Sequence, residues 1–421
     1  MDSSSAPGPL TGDFADRVDE RLRDHDQVLT ELYPGDDGRR QPVHTVYLPA
    51  DRFTPTTTRE WGEQAERSTA SFGGLEALVG HLGGDAGSAE LVRTKLTREP
   101  IEDLRLDFED GYGDRGDAVE DTDVTASAQA VTAAVAAGIA PPFFGIRFKC
   151  FEAPTRRRGL RTLERFVLTL GEAGTLPSGL VLTLPKVTGA DQVAVLADAC
   201  DRLEDALGGS ARRLRFELQM ETPQMILGPD GRCPIPEMVA AGRGRVVGLH
   251  YGTYDYSDSL QIAAQYQSME HPAADYAKAV MQVAAAGTGL RLSDGSTNIL
   301  PVGDAVQQQT AWLLHARLVR RSLERGFYQG WDLHPAQLPT RFLATYAFYR
   351  DGFTAAATRL RNYVQRVESA ILDEPATARA LARFVHRGLA CGAIRSDELA
   401  SEVGLTEAQL LALAHPKVAR P

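Results

Sequence analysis

The feature that most constrains the fold is a regular alternation of short apolar runs with longer amphipathic stretches, which begins near residue 43. Apolar runs of this length are typical of buried strands, and helical periodicity between them implies a parallel sheet. Eight such units, in a span of the size that one (β/α)8 unit needs, favour a closed TIM barrel over an open sheet. The predicted strands are Val43–Pro49, Leu104–Phe108, Phe143–Lys149, Leu180–Pro185, Leu214–Met220, Val246–Tyr251, Leu290–Leu292 and Tyr328–Leu333. The helices predicted between them include Ala118–Ala137, Leu160–Gly171, Asp191–Leu207, Ser259–Ala286 and Ala305–Arg325.

The alternation ends near residue 340, and the remaining chain predicts helices alone. Gly352, Pro375 and Gly392 divide this tail. The predicted tail helices are Arg341–Arg350, Thr354–Leu372, Ala376–Gly392 and Thr406–Leu413. We therefore expect an N-terminal tail and lead-in helix, partly disordered, over residues 1–40, a barrel over 41–340 and a helical C-terminal extension over 341–421. The extension either covers the barrel or acts as a lid or oligomer contact.

Composition excludes several classes of function. A net charge of −11 argues against general binding of nucleic acid or anionic membrane, because both need a cationic face. The four cysteines lack the spacing of a zinc site or a disulfide framework and fit a reducing compartment. Neither a signal peptide nor a membrane-spanning apolar run is predicted. We expect a cytoplasmic protein.

Carboxylates collect at predicted strand ends, where sites are built in parallel α/β proteins. Asp107, Glu109 and Asp110 follow the second strand, and three such acids repel one another unless a cation, a ligand or backbone donors lie between them. Glu221 and Asp255 follow neighbouring strands, and together with water and substrate oxygens they suit Mg²⁺. The alternatives are a charged strand-to-loop turn for the first set and ordinary helix N-capping for Asp255.

Basic side chains occur at other strand ends. Arg147 has a planar fork that suits a substrate carboxylate, or it pairs with a barrel acid such as Asp107. Lys186 is an anion contact, a Schiff-base lysine or a salt-bridge partner, and nothing near it favours a depressed amine pKa. His334 is either a base or a structural hydrogen-bonding residue before Pro335.

Seven short motifs, each at a predicted strand end, give the chain a family resemblance over about residues 43–340. In this order they resemble the citrate lyase β-subunit-like (HpcH/HpaI aldolase) family of the phosphoenolpyruvate/pyruvate-binding barrel superfamily, in which malate synthase is a more distant relative. The motifs are Pro49–Arg52 (PADR), Leu106–Asp110 (LDFED), Ile146–Lys149 (IRFK), Leu184–Val187 (LPKV), Met220–Pro223 (METP), Tyr251–Asp255 (YGTYD) and His334–Gln337 (HPAQ).

The resemblance implies a role for each site residue. Glu221 and Asp255 would bind Mg²⁺ or Mn²⁺, and Arg147 would hold the substrate carboxylate and carbonyl. Glu109 and Asp110 would orient metal-bound water and ligands. The resemblance also implies that Arg52 faces an anionic tail such as that of a coenzyme A thioester. Lys186 and His334 complete the expected substrate contacts.

The expected function is therefore that of a Mg²⁺-dependent carbon–carbon lyase, of aldolase or hydroxyacyl-CoA lyase type. It would act through the enolate of a small oxo- or hydroxy-acid. Malate-synthase-like condensation, acyl-CoA thioester hydrolysis and a non-catalytic metabolite-binding barrel remain alternatives. The motifs supply no convincing general base, so we expect the helical tail to complete the site from a neighbouring protomer of a homo-oligomer, a trimer or hexamer.

Overall fold

Eight short parallel strands form the centre of the molecule, as seen in a computed structural model that describes residues 9–174, 176–208, 213–366 and 374–417. Each strand pairs with the next along the chain, β1 also pairs with β8, and a bridge between Ser293 and Gln329 closes the ring. The predicted TIM barrel is confirmed. The strands are β1 (His44–Pro49), β2 (Asp103–Asp107), β3 (Phe143–Arg147), β4 (Leu182–Leu184), β5 (Phe216–Met220), β6 (Val246–Tyr251), β7 (Arg291–Ser293) and β8 (Gly330–Asp332).

The side chains of alternate strand residues point to opposite sides of the barrel wall. Leu104 and Leu106 of β2 are buried in the apolar layer beneath the helices. Asp103 and Arg105 of the same strand point inwards, where Arg105 contacts Glu217 of β5 with Nη2–Oε2 at 2.9 Å. This two-residue period places apolar side chains outside the ring and polar side chains within it. The interior of this barrel is consequently a charged, hydrogen-bonded core.

Helices surround the ring and continue after it. The first eleven are α1 (Asp13–Leu32), α2 (Thr57–Ser68), α3 (Leu75–His81), α4 (Ala86–Arg98), α5 (Asp117–Ala136), α6 (Arg156–Gly171), α7 (Ala190–Ala206), α8 (Ile235–Ala241), α9 (Thr253–Ser259), α10 (Pro272–Ala285) and α11 (Ala305–Glu324). After β8 come α12 (Leu338–Gln365), α13 (Pro375–Ala390), α14 (Ser396–Glu398) and α15 (Glu407–Ala414). Within the described ranges, no helix is both long and apolar enough to cross a membrane.

Two predicted helices were wrong in their extent. The helix predicted over Ser259–Ala286 forms only over Pro272–Ala285, as α10, because α9 ends at Ser259, Gln261 has a left-handed backbone and Pro272 occupies the first turn of α10. The break predicted at Gly352 does not occur, because α12 runs through it. A Cβ at Gly352 would lie 2.7 Å from Phe384 Cζ, so this glycine permits close packing of α13. The predicted end of the second tail helix at Leu372 lies outside the described residues.

The helical tail packs against the amino-terminal end of its own barrel. Arg387 of α13 pairs with Asp36, and Lys417 donates to the Tyr33 carbonyl, both in the segment that leads into β1. The carboxyl ends of the strands lie on the opposite side of the barrel. Contribution of the tail to a neighbouring protomer's site stays a prediction, as do the boundaries proposed at residues 40 and 340.

A buried ionic network joins the start of α12 to the barrel wall. Arg341 binds the carboxylate of Asp332 at the end of β8, with Nη2–Oδ1 at 2.9 Å and Nε–Oδ2 at 3.0 Å. His44 Nδ1 and His315 Nε2 complete the surroundings of Asp332, at 2.6 and 3.1 Å. Burial alone would raise the pKa of Asp332, but the charge of Arg341 and the bonds with His315 and His44 hold it well below its usual value. Asp332 is therefore an ionised link between barrel and tail.

We predict that Asp332→Asn destabilises the protein by about 3–5 kcal/mol, because it leaves the Arg341 charge buried without its partner. Asp351→Asn is the matched control, since Asp351 also pairs with an arginine, Arg320, but is 62% exposed. The control should change stability by less than about 1 kcal/mol. Denaturant unfolding of both variants measures the difference, and equal effects would contradict this role for Asp332.

Candidate active site

Four acids meet at the carboxyl end of the barrel, and we call them the carboxylate cluster. They are Glu109 and Asp110 after β2, Glu221 after β5 and Asp255 in α9 after β6. The Lys186 ammonium, which follows β4, lies among them: Nζ is 2.6 Å from Glu109 Oε1, 2.8 Å from both Asp110 oxygens and 3.6 Å from Asp255 Oδ1. The structure thus brings five of the predicted site residues together.

Lys186 is fixed by its backbone as well as by its ammonium. Its φ of 48° is left-handed, a conformation that costs a non-glycine residue about 1–2 kcal/mol. In this conformation its backbone N–H donates to Glu221 Oε1 at 2.7 Å. Burial alone would lower the pKa of the ammonium, but the charge of Glu109 and the bonds with Asp110 raise it. A lysine held so firmly in its charged form is unsuited to Schiff-base chemistry.

Glu221 is a buried carboxyl group whose surroundings oppose its ionisation. The residue is only 1% exposed, and burial, together with the charges of Asp255 and Glu109, raises its pKa to about 8. Burial and the nearby Asp110 also raise the pKa of Asp255, although Lys186 and Arg147 oppose the shift. The four acids of the cluster outnumber the cations beside them, Lys186 and Arg147, so their negative charge is only partly neutralised.

The position of Asp255 answers the N-capping alternative. The N-cap of α9 is Gly252, with no side-chain capping bond, and Asp255 lies inside the first turn. Gly252 is needed for close approach, since a Cβ there would lie 2.4 Å from Glu221 Oε2. Asp255 is consequently free of a capping role and lies beside Glu221.

Arg147 lies beside the cluster at the end of β3 and forms the pair that the sequence left as an alternative. Its Nε and Nη2 donate to the two oxygens of Asp107, each at 2.7 Å, and Nη1 lies 3.4 Å from Glu109 Oε2. Asp107 also accepts from the backbone N–H groups of Glu109 and Gly111, so it holds both the arginine and the following loop. Nη1 is the terminal nitrogen left on the side away from Asp107.

The sequence offered Asp107 as a pairing partner of Arg147 but did not include it among the candidate site residues. The available signal was the two-residue period of β2, which places Asp103, Arg105 and Asp107 on the inner face of the barrel. An inward carboxylate at a strand end, level with an inward arginine of the next strand, predicts such a pair. The register confirms the level, since Asp107 is opposite Arg147.

The two remaining predicted contacts lie apart from the cluster. Arg52 is exposed, at the end of a single 3-10 turn, Ala50–Arg52, that follows β1. His334 is half-buried and its Nδ1 accepts from the Ala336 backbone at 3.2 Å, so it caps the 3-10 turn Pro335–Gln337. Burial lowers the pKa of His334. The structure therefore supports the hydrogen-bonding alternative for His334, and its contact with substrate stays a prediction.

Three consecutive arginines, residues 156–158, begin α6, and two of them bond other groups of the protein. Arg158 bonds Asp121 with Nη2–Oδ1 at 2.7 Å and Glu120 with Nε–Oε1 at 3.2 Å. Arg156 donates to the Phe151 carbonyl. Arg157 is exposed. Pairing with the buried Glu120 and the mostly buried Asp121 thus accounts for the charge of Arg158.

The donor set of the carboxylate cluster fits Mg²⁺. Among the described residues, no group of three or more His, Cys, Asp or Glu is arranged to chelate a metal unaided. Mg²⁺ does not require one, because it is usually held by one or two carboxylates and keeps water or substrate oxygens in its other positions. Glu221 and Asp255 supply two oxygen-donor groups, and their raised pKa values show that added positive charge would be stabilising there.

Comparison with known proteins places the chain in a family. Residues 22–418 match a family model described as a domain of unknown function, DUF6986. The chain belongs to this family. No curated protein matches the chain.

Similar solved structures include those of a citrate lyase β-subunit, an HpcH/HpaI aldolase/citrate lyase family protein and a malate synthase. The CitE protein of Mycobacterium tuberculosis, in complex with magnesium, acetoacetate and coenzyme A, is 17% identical with a TM-score of 0.48, covering 84% of this chain and 99% of that one. A Haloferax volcanii malate synthase magnesium/glyoxylate complex is 13% identical with a TM-score of 0.49, covering 90% and 98%. An HpcH/HpaI aldolase/citrate lyase family protein of Burkholderia cenocepacia is 13% identical with a TM-score of 0.42, covering 82% and 99%. The assignment of site residues rests on this chain's own geometry.

We predict that Glu221→Gln stabilises the metal-free protein at alkaline pH. The folded pKa of about 8 is above the usual 4.5, so the fold loses stability as pH rises between these values, because the unfolded carboxyl ionises while the folded one keeps its proton. Between pH 6 and 8 the loss should be about 2–3 kcal/mol, and the neutral amide avoids it.

Thermal melting in the presence of a chelator, at pH 6 and pH 9, measures this effect. The exposed Glu237, changed to Gln, is the control and should melt like the wild type at both values. If wild type and Glu221→Gln lose the same stability between the two pH values, Glu221 does not carry the buried charge.

Proposed function

We propose that this chain is a Mg²⁺-dependent carbon–carbon lyase that cleaves a small oxo- or hydroxy-acid through its enolate. The single observation that carries the proposal is the group of four acids around one ammonium, that of Lys186, at the barrel mouth, next to Arg147 at the end of β3. Glu109 and Glu221 are buried, and burial together with the charges of Asp255 and Glu109 raises the pKa of Glu221 to about 8. The motif order that resembles the HpcH/HpaI aldolases supports the same assignment.

Glu221 and Asp255 would hold the metal ion. When bound, Mg²⁺ supplies positive charge that polarises a substrate carbonyl and stabilises an enolate. Mn²⁺ takes similar oxygen ligands and is expected to substitute for it. Glu109 and Asp110 hold the Lys186 ammonium beside this position, so the negative charge of the cluster is partly neutralised before substrate arrives.

Arg147 would bind the substrate's carboxylate through Nη1. Asp107 fixes the opposite edge of its guanidinium, which limits the directions in which Nη1 can donate. When the bond between the α and β carbons of a β-hydroxy carbonyl compound breaks, the β-hydroxyl gives its proton to a general base and becomes the carbonyl of one product. The electron pair of the broken bond moves onto the substrate carbonyl and forms the enolate of the other product. A guanidinium already in place stabilises that charge without reorganising during the reaction.

We propose coenzyme A thioesters as the first substrates to test. Arg52 is exposed after β1, so its charge can contact the anionic tail of such a thioester. Arg52→Ala should raise KM for a thioester substrate and leave KM for the corresponding free acid unchanged. Equal effects on both would remove Arg52 from this role.

We predict that Mg²⁺ binds the protein with one-site stoichiometry and that Glu221→Gln and Asp255→Asn each weaken binding about tenfold or more. Each variant removes one charged ligand of the two. Titration calorimetry with Mg²⁺ and Mn²⁺ measures this without any substrate. The control is Asp258→Asn, since Asp258 is exposed in the last turn of the same helix. Wild-type affinity in both site variants would exclude the assigned metal site.

We predict that Arg147→Lys lowers kcat/KM for cleavage by about a hundredfold, because a lysine keeps the charge but loses the planar fork. Arg115→Lys is the control, since Arg115 pairs with Asp51 on the barrel rim. Product analysis by mass spectrometry then separates cleavage from condensation or thioester hydrolysis, and turnover unchanged in Arg147→Lys would exclude the assigned substrate contact.

A further inference from the structure

The guanidinium of Arg147 contacts an aromatic ring as well as Asp107. It lies over the ring of Tyr47 of β1, with the Arg147 Cζ 4.8 Å from the centroid of the phenol ring. This is the distance of a cation–π contact, and both residues are almost completely buried, at 7% exposure each. None of the roles considered above involves Tyr47.

Tyr47 is itself fixed from two sides. Gln219 of β5 donates from Nε2 to its hydroxyl oxygen at 3.1 Å. The indole of Trp331 lies against its ring, with centroids 4.7 Å apart. Burial holds the pKa of the Tyr47 hydroxyl well above its usual value, so the ring under Arg147 belongs to a neutral phenol. The platform is therefore rigid and uncharged.

Edge and face contacts restrain different movements of the arginine. The two bonds with Asp107 are parallel, so they fix the guanidinium along one edge but leave it able to tilt about that edge. Tilting would move Nη1, which lies on the far side of the group. A ring packed against one face blocks the tilt in that direction. Asp107 and Tyr47 together thus define the position of Nη1.

We propose that Tyr47 is a positioning residue that directs Nη1 of Arg147 towards a substrate carboxylate. The inference rests on the proposed function for its ligand, but the restraint on Arg147 is a property of the protein alone. It requires the aromatic face of Tyr47 and not its hydroxyl. If Tyr47 had a purely structural role, every substitution that removes the same buried tyrosine volume would have the same effect.

Three variants separate these roles. Tyr47→Phe keeps the face and removes the hydroxyl that Gln219 binds, whereas Tyr47→Leu removes the face and keeps an apolar side chain. Tyr346→Leu is the matched control, because Tyr346 is a similarly buried tyrosine of α12, at 3% exposure, remote from Arg147. Thermal melting establishes that each variant is folded and how much stability it loses.

The first measurement needs no ligand. The Nε–H proton of Arg147 is observed by NMR in protein labelled with ¹⁵N-arginine, and it is assigned as the signal that Arg147→Lys removes. We expect Tyr47→Leu to speed its exchange with solvent at least tenfold, and Tyr47→Phe and Tyr346→Leu to change it less than threefold. Wild-type exchange in Tyr47→Leu, or equal acceleration in Tyr47→Phe, would overturn the proposal.

The second measurement uses pyruvate and oxaloacetate as probes, in the presence of Mg²⁺. Calorimetry should show their Kd raised about tenfold in Tyr47→Leu and within threefold of wild type in the other two variants. Faster exchange in Tyr47→Leu with an unchanged Kd would overturn the positioning role. If wild type binds neither acid while the exchange results hold, the proposed function fails and the restraint of Arg147 by Tyr47 stands.

Discussion

The concentration of acids at the carboxyl end of the barrel is the constraint on which the site depends. Glu109 and Glu221 are buried, and burial together with neighbouring acids raises the pKa values of Glu109, Glu221 and Asp255. Such an arrangement destabilises a folded protein unless positive charge is supplied. The Lys186 ammonium supplies part of this positive charge, and the Lys186 backbone is left-handed there. The barrel must therefore hold this region together by other interactions.

Those interactions lie in the barrel interior and under the tail. Arg105 bonds Glu217 and Asp103 near the amino-terminal end of the ring. On the outer side of the wall, Arg341 bonds Asp332. These pairs are buried and mutually satisfied, unlike the acids at the mouth. The contrast between neutralised charge in the body of the protein and surplus charge at one end marks the mouth as the place where a cation and an anionic substrate would bind.

The sequence was sufficient for the barrel because its strand signal depends on local composition. The eight predicted strands all occur, with their ends displaced by at most two residues. Helix boundaries were less predictable where a tertiary contact decides them. Gly352 resembles a helix break in sequence, yet it lies inside α12 because Phe384 packs against it. The pairing partner of such a glycine is not encoded nearby in the chain.

The site was predictable to the same degree and for the same reason. Acids at strand ends can be found from position alone, because all parallel strands end on one side, and the cluster formed as expected. Which side chains pair across neighbouring strands could be predicted only from the register of the sheet. Asp107 lies two residues from Glu109 and was one of the acids considered as a partner of Arg147, but only the register shows that it is opposite Arg147 in the sheet. The capping role of His334 likewise depends on the turn that follows it.

The inward-facing side chains form connected tiers, so the position of the site at the mouth depends on the tiers beneath it. Thr183 and Glu217 hold Arg105 in the lower tier, Gln219 and Trp331 hold Tyr47 in the next, and Tyr47 and Asp107 hold Arg147 at the mouth. Glu217, Gln219 and Glu221 are alternate residues of one inward strand face and its end. A displacement of β5 would therefore move the lower ion pair, the support of Tyr47 and an assigned metal ligand together. In a barrel with an aliphatic interior, packing alone would transmit such a displacement. Here directional bonds transmit it, so the polar interior makes the geometry of the mouth depend on the register of β5.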